Sequence, residues 1–259
     1  MKYNYHTHTA RCFHAVGTDE EYVISAIKSG FDEIGFSDHS PWSFKGFVSG
    51  MRMHENELEA YCNSVKALRE KYKNEISIRL GLECEYFPKY MPWLREMIEK
   101  HEIDYIILGH HFCDDEPASP YNGEIRSADR LYRYRDDIVE AMETGLFSYV
   151  AHPDLFMRGY PEFDEHCKSI SLDIINKAIE TGTPLEYNLL GFSHSLNDGK
   201  QGYPYPDFWS LVSEKKPLVT MGIDAHSPKA YEDSLLYEKG LSSLSALGLS
   251  IVPNIDFLR

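Results

Sequence analysis

Nine side chains that commonly bind transition metals lie at or near the ends of short apolar runs in this 259-residue chain. Neutral imidazole and carboxylate are ligands that Zn²⁺, Mn²⁺ and Fe²⁺ select, and nine of them exceed what one tetrahedral or octahedral ion can use. The pattern therefore predicts a site for several metal ions, and hence an enzyme. The nine residues are His6, His8, His14, His39, Glu83, His111, His152, Asp224 and His226.

Each of these signals is weak when it stands alone. The pair His6 and His8 would lie on the same side of a strand and could simply line a polar interior. Together with the Asp224 and His226 pair and the single ligands at other runs, that explanation becomes improbable, because every buried imidazole needs a hydrogen-bond partner. The whole set favours metal binding.

The elements that position these residues follow from periodicity. Short apolar runs alternate with longer amphipathic stretches, as in a parallel α/β architecture. Strands are predicted at 2–5, 33–37, 76–82, 105–108, 148–151, 184–188 and 217–221, with a weaker run at 250–252. Helices are predicted at 55–72, 91–101, 128–144 and 165–181, and one more begins at the Thr18 to Glu21 capping box and ends before Gly30. Because the loops after parallel strands meet at one face of a barrel, the candidate ligands should converge there.

Length and charge restrict the function. No composition break divides the chain, so we expect a single domain over residues 1–259, which is a common length for one barrel. The formal charge of −15 would repel nucleic acids and anionic membranes. A small-molecule substrate fits better than either.

The five cysteines are odd in number, scattered and without a C-x-x-C pair, so neither a disulfide framework nor a zinc finger is indicated. A reducing cytosol is the expected setting. The start MKYNYHTHT has no apolar core of a signal peptide, and no run of eighteen apolar residues occurs. We therefore expect a cytoplasmic protein without a membrane span.

Several further residues have two readings from the sequence alone. His110 and His111 should point to opposite sides, so only one of them can face the metals. Asp38 could orient a ligand imidazole, donate a proton to a leaving group or cap the next turn. Arg158 could bind phosphate in the cleft or be a solvated surface ion. His194, in the predicted loop GFSHSLNDGK, could reach a substrate or lie on the surface.

The motifs H-T-H, C-F-H-A-V-G-T, G-F-S-D-H-S-P, G-L-E, L-G-H-H-F, A-H-P-D and G-I-D-A-H occur in this order over residues 6–226. With them the chain resembles the PHP (polymerase and histidinol phosphatase) superfamily, particularly its stand-alone histidinol-phosphatase branch. The resemblance implies an α/β fold with a distorted seven-stranded barrel, in which the run at 250–252 is peripheral.

The same resemblance implies three divalent transition-metal ions, Zn, Mn or Fe, and assigns their ligands. His6, His8, Glu83 and Asp224 would hold the first ion, Glu83 would bridge to a second held by His111 and His152, and His14, His39 and His226 would hold the third. The residues expected to act in the reaction are Asp38, His39 and Arg158. Relatives often carry another arginine after the sixth strand, where this chain offers only His194 and Lys200. Phosphate and substrate binding is therefore expected from Arg158, His194 and Lys200.

The implied activity is hydrolysis of L-histidinol phosphate to L-histidinol in histidine biosynthesis, with metal ions that activate water and neutralise the phosphate oxygens. Another small phosphate ester or a nucleotide is the alternative substrate, and a metal-dependent binding protein is the non-catalytic alternative. An amidohydrolase is disfavoured because Glu83 stands where that family usually needs a lysine. A nuclease is disfavoured by the negative charge. The sequence leaves the oligomeric state open.

Overall fold

The computed structural model describes residues 1–199 and 202–258. Within those ranges parallel strands alternate with helices, as the sequence predicts for an α/β fold. The strands are β1 (Tyr3–Asn4), β2 (Glu33–Phe36), β3 (Ser77–Cys84), β4 (Tyr105–Leu108), β5 (Leu185–Asn188) and β6 (Val219–Gly222). The α-helices are α1 (Asp19–Lys28), α2 (Leu58–Lys71), α3 (Met91–His101), α4 (Ala128–Glu143), α5 (Glu165–Thr181), α6 (Leu189–Asp198), α7 (Pro206–Lys215) and α8 (Ser234–Ala246). Short 3₁₀ turns lie at Ala10–Cys12, Glu55–Glu57, Pro88–Tyr90, Glu116–Ala118, Asn122–Glu124, Leu155–Arg158 and Pro228–Glu232.

Two parallel sheets curl around one interior. β1, β2, β3 and β4 follow one another in the first sheet, and β5 pairs with β6 in the second. Isolated bridges connect the two sheets, because Val150 bridges both Leu108 and Leu185, and Thr7 bridges Ala225. The carboxyl ends of the strands therefore lie at the same edge of the curl.

The structure differs from the expected count of seven strands. The described part of the chain contains six, and the predicted strand at 148–151 is reduced to the bridged residue Val150. The reason lies just beyond it, where His152 has a φ of 32° and Pro153 has no N–H to continue a ladder. The weaker run at 250–252 is likewise a single bridge, between Ile251 and Val219.

The helix predictions hold where local signals are strong. Thr18 and Glu21 form the predicted capping box at the start of α1, and Gly30 follows its end with a φ of 73°. The predicted bounds of α3 and α5 agree with the structure. Gly182 ends α5 with a φ of 70°, a conformation that glycine adopts without strain.

Aromatic side chains fill one end of the interior of the curl. The hydroxyl of Tyr105 donates to the carbonyl oxygens of Tyr5 at 2.8 Å and Phe36 at 3.1 Å. A Cβ at Gly81 would lie 2.4 Å from the Tyr105 ring, so glycine is needed there. This packing leaves the opposite end, at the carboxyl ends of the strands, to polar side chains. The interior cluster comprises Tyr3, Tyr5, Tyr105, Ile107, Tyr149, Ala151 and Ile255.

The five cysteines, Cys12, Cys62, Cys84, Cys113 and Cys167, are all buried and unpaired. Among the described residues, no helix has both the length and the apolar character needed to cross a bilayer.

Candidate metal centre

The strand ends carry the candidate ligands. β1 leads into His6 and His8, β2 leads into His39, and Glu83 lies near the end of β3. Because the strands are parallel, ligands that are far apart in sequence meet at one edge. The remaining strand-end ligands follow β4, Val150 and β6, and they are His111, His152, Asp224 and His226.

Glu83 lies at the centre of this group and is almost completely buried. Its two carboxylate oxygens face five imidazole nitrogens at 3.0–3.5 Å. One carboxylate surrounded in this way is suited to bridge two cations. Oε1 lies near Nε2 of His6 (3.5 Å), His111 (3.5 Å) and His152 (3.0 Å), and Oε2 lies near Nε2 of His8 (3.4 Å) and Nδ1 of His39 (3.0 Å).

Asp224 supplies the second carboxylate. Its Oδ1 lies 3.2 Å from Nε2 of His8 and 3.4 Å from Nε2 of His6. The same oxygen is 3.4 Å from Nδ1 of His226. Asp224 and His152 both have a positive φ, 55° and 32°. Such backbone strain in residues other than glycine is concentrated at functional sites.

His14 completes the set at the rim of the cluster, where its side chain is exposed. Its Nδ1 lies 2.6 Å from the carbonyl oxygen of Cys12 and donates to it, which leaves Nε2 as an acceptor. Ligand nitrogens of His14, His39 and His226 lie within 4.8 Å of one another. The structure thus brings all nine predicted residues into one cluster.

Unpaired buried atoms test whether this cluster fits metal ions. Within the described residues, Nε2 of His6, Oε2 of Glu83 and Oδ1 of Asp224 have no hydrogen-bond partner although they are buried. Buried polar atoms in folded proteins nearly always have one. A convergent set of imidazole nitrogens and carboxylate oxygens is the donor set of divalent transition metals, so these residues fit such ions.

The local charges favour the metal-binding forms of Glu83, His39 and His226, whereas Asp224 and other nearby carboxylates outweigh burial and raise the pKa of His6 and His8. Burial opposes the charge of Glu83, but His111 and other nearby histidines hold the pKa of Glu83 well below its usual value. Burial and the neighbouring His8 lower the pKa of His39 well below 6.5. The same causes lower the pKa of His226 to about 4. An ionised carboxylate and neutral imidazoles are ready to act as ligands.

The cluster opens into a cleft of about 1010 Å³. Arg158 lies on the wall of this cleft, and its guanidinium carbon is 5.4 Å from the ring centroid of Tyr121. Arg158 is an exposed residue of this wall, a position that is compatible with the cleft reading and leaves its role a prediction. An arginine here can give two parallel hydrogen bonds to a phosphate.

His194 also lines the cleft, but the prediction of a loop around it is wrong. His194 lies in α6, which begins where the side chain of Asn188 accepts a hydrogen bond from the N–H of Gly191 at 2.9 Å. Lys200, the other residue expected to bind substrate, lies outside the described residues.

Asp38 lies behind the histidines. Its carboxylate accepts from the N–H of His39 at 2.8 Å and of Thr9 at 3.2 Å, and it lies 3.5 Å from Nδ1 of His8. Asp38 is fully buried and does not line the cleft in the described part of the chain. The geometry agrees with the orienting role, because the carboxylate contacts these residues and does not line the cleft in the described part of the chain.

His110 and His111 point in opposite directions, as alternation predicts. Nε2 of His111 lies 3.5 Å from Glu83, and its side chain lines the cleft. Nε2 of His110 lies 3.1 Å from Oδ2 of Asp137 in α4. The direction of His111 agrees with its choice as the candidate ligand.

Two carboxylates that touch the cluster were missed in the sequence. Oε1 of Glu186, in β5, lies 2.7 Å from Nδ1 of His6. Oε1 of Glu85 lies 3.4 Å from Nδ1 of His111. The available signal was weak: both lie in a predicted strand or shortly after one, where charged residues are rarely buried without a partner, and this does not identify the partner.

Comparisons with known proteins identify the family of this chain. The PHP domain family matches residues 4–189. A "Probable histidinol-phosphatase" of Deinococcus radiodurans is 28% identical over 229 residues, 86% of this chain and 85% of that protein. The histidinol-phosphatase of Bacillus subtilis is 26% identical over 250 residues, 85% of this chain and 92% of its own. A similar solved structure is the histidinol phosphate phosphatase from Lactococcus lactis, in complex with zinc, L-histidinol and phosphate. Its sequence is 19% identical, and the two structures superimpose over 100% of this chain and 99% of that chain with a TM-score of 0.75. The chain belongs to the PHP domain family.

Proposed function

We propose that this protein is a metal-dependent phosphatase that hydrolyses L-histidinol phosphate to L-histidinol and phosphate, a step of histidine biosynthesis. The observation that carries the proposal is the convergence of the candidate metal ligands and Arg158 on one cleft. The relatives named histidinol-phosphatase support the substrate. So does the Lactococcus lactis protein of the same fold, which holds L-histidinol and phosphate.

Three divalent transition-metal ions are proposed for the cluster. Glu83 would be a ligand shared by two of them, which its position between five imidazole nitrogens supports. The third would lie among His14, His39 and His226, of which only His14 is exposed. The proposed ligands are His6, His8, Glu83 and Asp224 for the first ion, Glu83, His111 and His152 for the second, and His14, His39 and His226 for the third.

Divalent cations in this cluster supply activated water at neutral pH and neutralise charge on the phosphate oxygens. The side chains of the chain bind and orient. Arg158 binds phosphate oxygens, and the face of Tyr121 beneath its guanidinium holds it at the cleft wall. The Asp38 carboxylate faces Nδ1 of His8 and would orient its ring. The same carboxylate accepts from the backbone N–H of His39 and so fixes the start of the segment after β2.

We also propose that residues 1–259 form one domain built on a distorted seven-stranded barrel. Val150 would mark the place of the fifth strand, and its bridges to Leu108 and Leu185 support this. The bridge between Thr7 and Ala225 would close the ring.

Turnover of a panel of phosphomonoesters by protein supplemented with Zn²⁺, Mn²⁺ or Fe²⁺ tests the function. L-Histidinol phosphate should give the highest kcat/KM, and a chelator should abolish activity that added metal restores. A preference for a sugar phosphate or a nucleotide would contradict the proposed substrate while leaving a phosphatase. Full metal content without hydrolysis of any ester would indicate a binding protein.

A further inference from the structure

Glu186 contacts the cluster from a position within β5, and its side chain is completely buried. Its Oε1 lies 2.7 Å from Nδ1 of His6. Its Oε2 accepts from the backbone N–H of His152 at 3.0 Å and from Nδ2 of Asn188 at 2.9 Å. Both oxygens of Glu186 therefore have partners, whereas Oε2 of Glu83 has none within the described residues.

Two neighbours extend the contacts of Glu186. Nδ2 of Asn188 also donates to Oδ2 of Asp224 at 3.1 Å. Gly222 provides the space, because a Cβ there would lie 1.8 Å from Oε1 of Glu186. The carboxylate of Glu186 thus contacts, directly or through one amide, three candidate ligands from three separate segments of the chain: His6, His152 and Asp224.

We propose that Glu186 is a positioning residue of the metal centre and is not itself a ligand. It accepts the proton of Nδ1 in His6, which leaves Nε2 as the unprotonated nitrogen that faces Glu83 and Asp224. It also fixes the backbone at His152. This inference rests on the proposed function, because it assigns Glu186 a part in building that site.

The chemistry of ligand imidazoles explains the arrangement. A histidine that binds metal through one nitrogen usually donates the other N–H to a carboxylate, which fixes the tautomer and the direction of the ring. The 2.7 Å contact between His6 and Glu186 has the length of a charge-assisted hydrogen bond. The second oxygen of Glu186 accepts from two N–H donors, so this carboxylate has little capacity left to bind a cation.

Glu33 provides a matched control. It is also a buried glutamate in a strand, but it lies at the start of β2, away from the strand ends that carry the cluster. Its partners are the hydroxyl groups of Tyr5 at 2.5 Å and Ser77 at 2.6 Å, and Nε of Arg79 at 2.8 Å. Replacing Glu33 perturbs a buried carboxylate without touching a candidate ligand.

Zinc affinity measured by competition with a chromophoric chelator tests the inference on the native protein, Glu186→Gln and Glu33→Gln. In Glu186→Gln an amide NH₂ replaces one acceptor oxygen. The glutamine side chain therefore cannot accept hydrogen bonds from His6, His152 and Asn188 at the same time. The zinc affinity of this variant should fall about 10–100-fold, the range for loss of such an outer partner. Glu33→Gln should keep the native affinity. Unchanged affinity in Glu186→Gln, or an equal loss in Glu33→Gln, would overturn the inference.

A second measurement needs no Glu186 variant and remains decisive if that variant does not fold. Long-range ¹H–¹⁵N correlation spectra of zinc-loaded native protein report the tautomer of each histidine, with His6 assigned from the signal that is lost in His6→Gln. A proton on Nδ1 of His6 supports the inference, and a proton on Nε2 overturns it. Neither readout uses substrate, so failure of the native protein to hydrolyse L-histidinol phosphate would contradict only the proposed function.

Discussion

Arg52 and Glu85 form a two-point ion pair in the protein interior, with Nη2 to Oε1 at 2.8 Å and Nη1 to Oε2 at 3.1 Å. Their side chains are 2% and 1% exposed. Arg52 directly follows Gly50 and Met51, which line the cleft, and Glu85 touches His111. The ion pair between Arg52 and Glu85 therefore connects one wall of the cleft to the segment that directly follows β3.

Arg52→Met should destabilise the protein strongly, because it leaves Glu85 buried without its counter-charge. Removal of one partner of a buried pair costs about 3–5 kcal/mol. Urea unfolding of metal-free protein would measure the change. Lys66→Met is the control, because its ion pair with Glu102 is exposed and screened and should contribute little. Equal unfolding midpoints for the two variants would contradict the expectation.

Acid should remove the stabilising effect of Glu33. Burial opposes its charge, but hydrogen bonds from Ser77, Tyr5 and Arg79 lower the pKa of Glu33 below 4.5. A carboxyl with a lowered folded-state pKa stabilises above its unfolded pKa, and the effect is lost as the pH falls through the folded value. The stability difference between native protein and Glu33→Gln, both metal-free, should be constant near neutrality and shrink below about pH 4.5. A stability difference that grows on acidification would show that the pKa of Glu33 is raised in the folded state, contrary to this expectation.

Protein purified without chelator should contain more than one transition-metal ion per chain, as measured by elemental analysis. Glu83→Ala should lower the metal content at two sites together, because one carboxylate faces the nitrogens of both. A native content at or below one ion would exclude the multinuclear centre. Loss of a single ion in Glu83→Ala would exclude the bridge.

His111→Ala should lose metal and activity, whereas His110→Ala should keep its metal. The expectation follows from the directions of the two side chains, because His111 faces Glu83 and His110 faces Asp137. The two variants control for each other, because the residues are adjacent and both are buried. Metal loss confined to His110→Ala would mean that the ligand is His110.

Arg158→Ala should lower kcat/KM for L-histidinol phosphate about 10²-fold or more, the effect of removing one preorganised charge-stabilising donor. Its metal content should stay native, because Arg158 lies on the cleft wall beside Tyr121 and not within the cluster. Arg126→Ala is the control, since Arg126 is exposed and its guanidinium donates to the carbonyl oxygen of Gly159. Unchanged kcat/KM in Arg158→Ala would remove this arginine from phosphate binding.

The parts of the site that could be predicted are those that depend on short sequence motifs. His6, His8, Asp224 and His226 stand in short motifs after apolar runs, and parallel pairing alone is enough to bring such strand ends together. Alternation just after β4 predicts that His110 and His111 point to opposite sides, and the family resemblance selects His111. No knowledge of distant contacts was needed for these.

The parts that could not be predicted depend on tertiary contacts. α6 contains glycine, serine and asparagine, which favour loops, but the Asn188 cap and close packing of Gly191 on Tyr203 stabilise the helix. Glu186 reads as an ordinary strand residue until β5 brings it to His6. The strand at Val150 is shortened by the turn at His152, which serves the site.

The bridge between Thr7 and Ala225 also determines when the centre can be assembled during synthesis. His6 and His8 are synthesised well before Asp224 and His226, because more than 200 residues separate the two pairs. A nascent chain therefore presents its first histidines long before their partners exist. Stable metal loading must therefore follow the synthesis of Asp224, and a product truncated before Asp224 would expose unpaired histidines in place of a metal site.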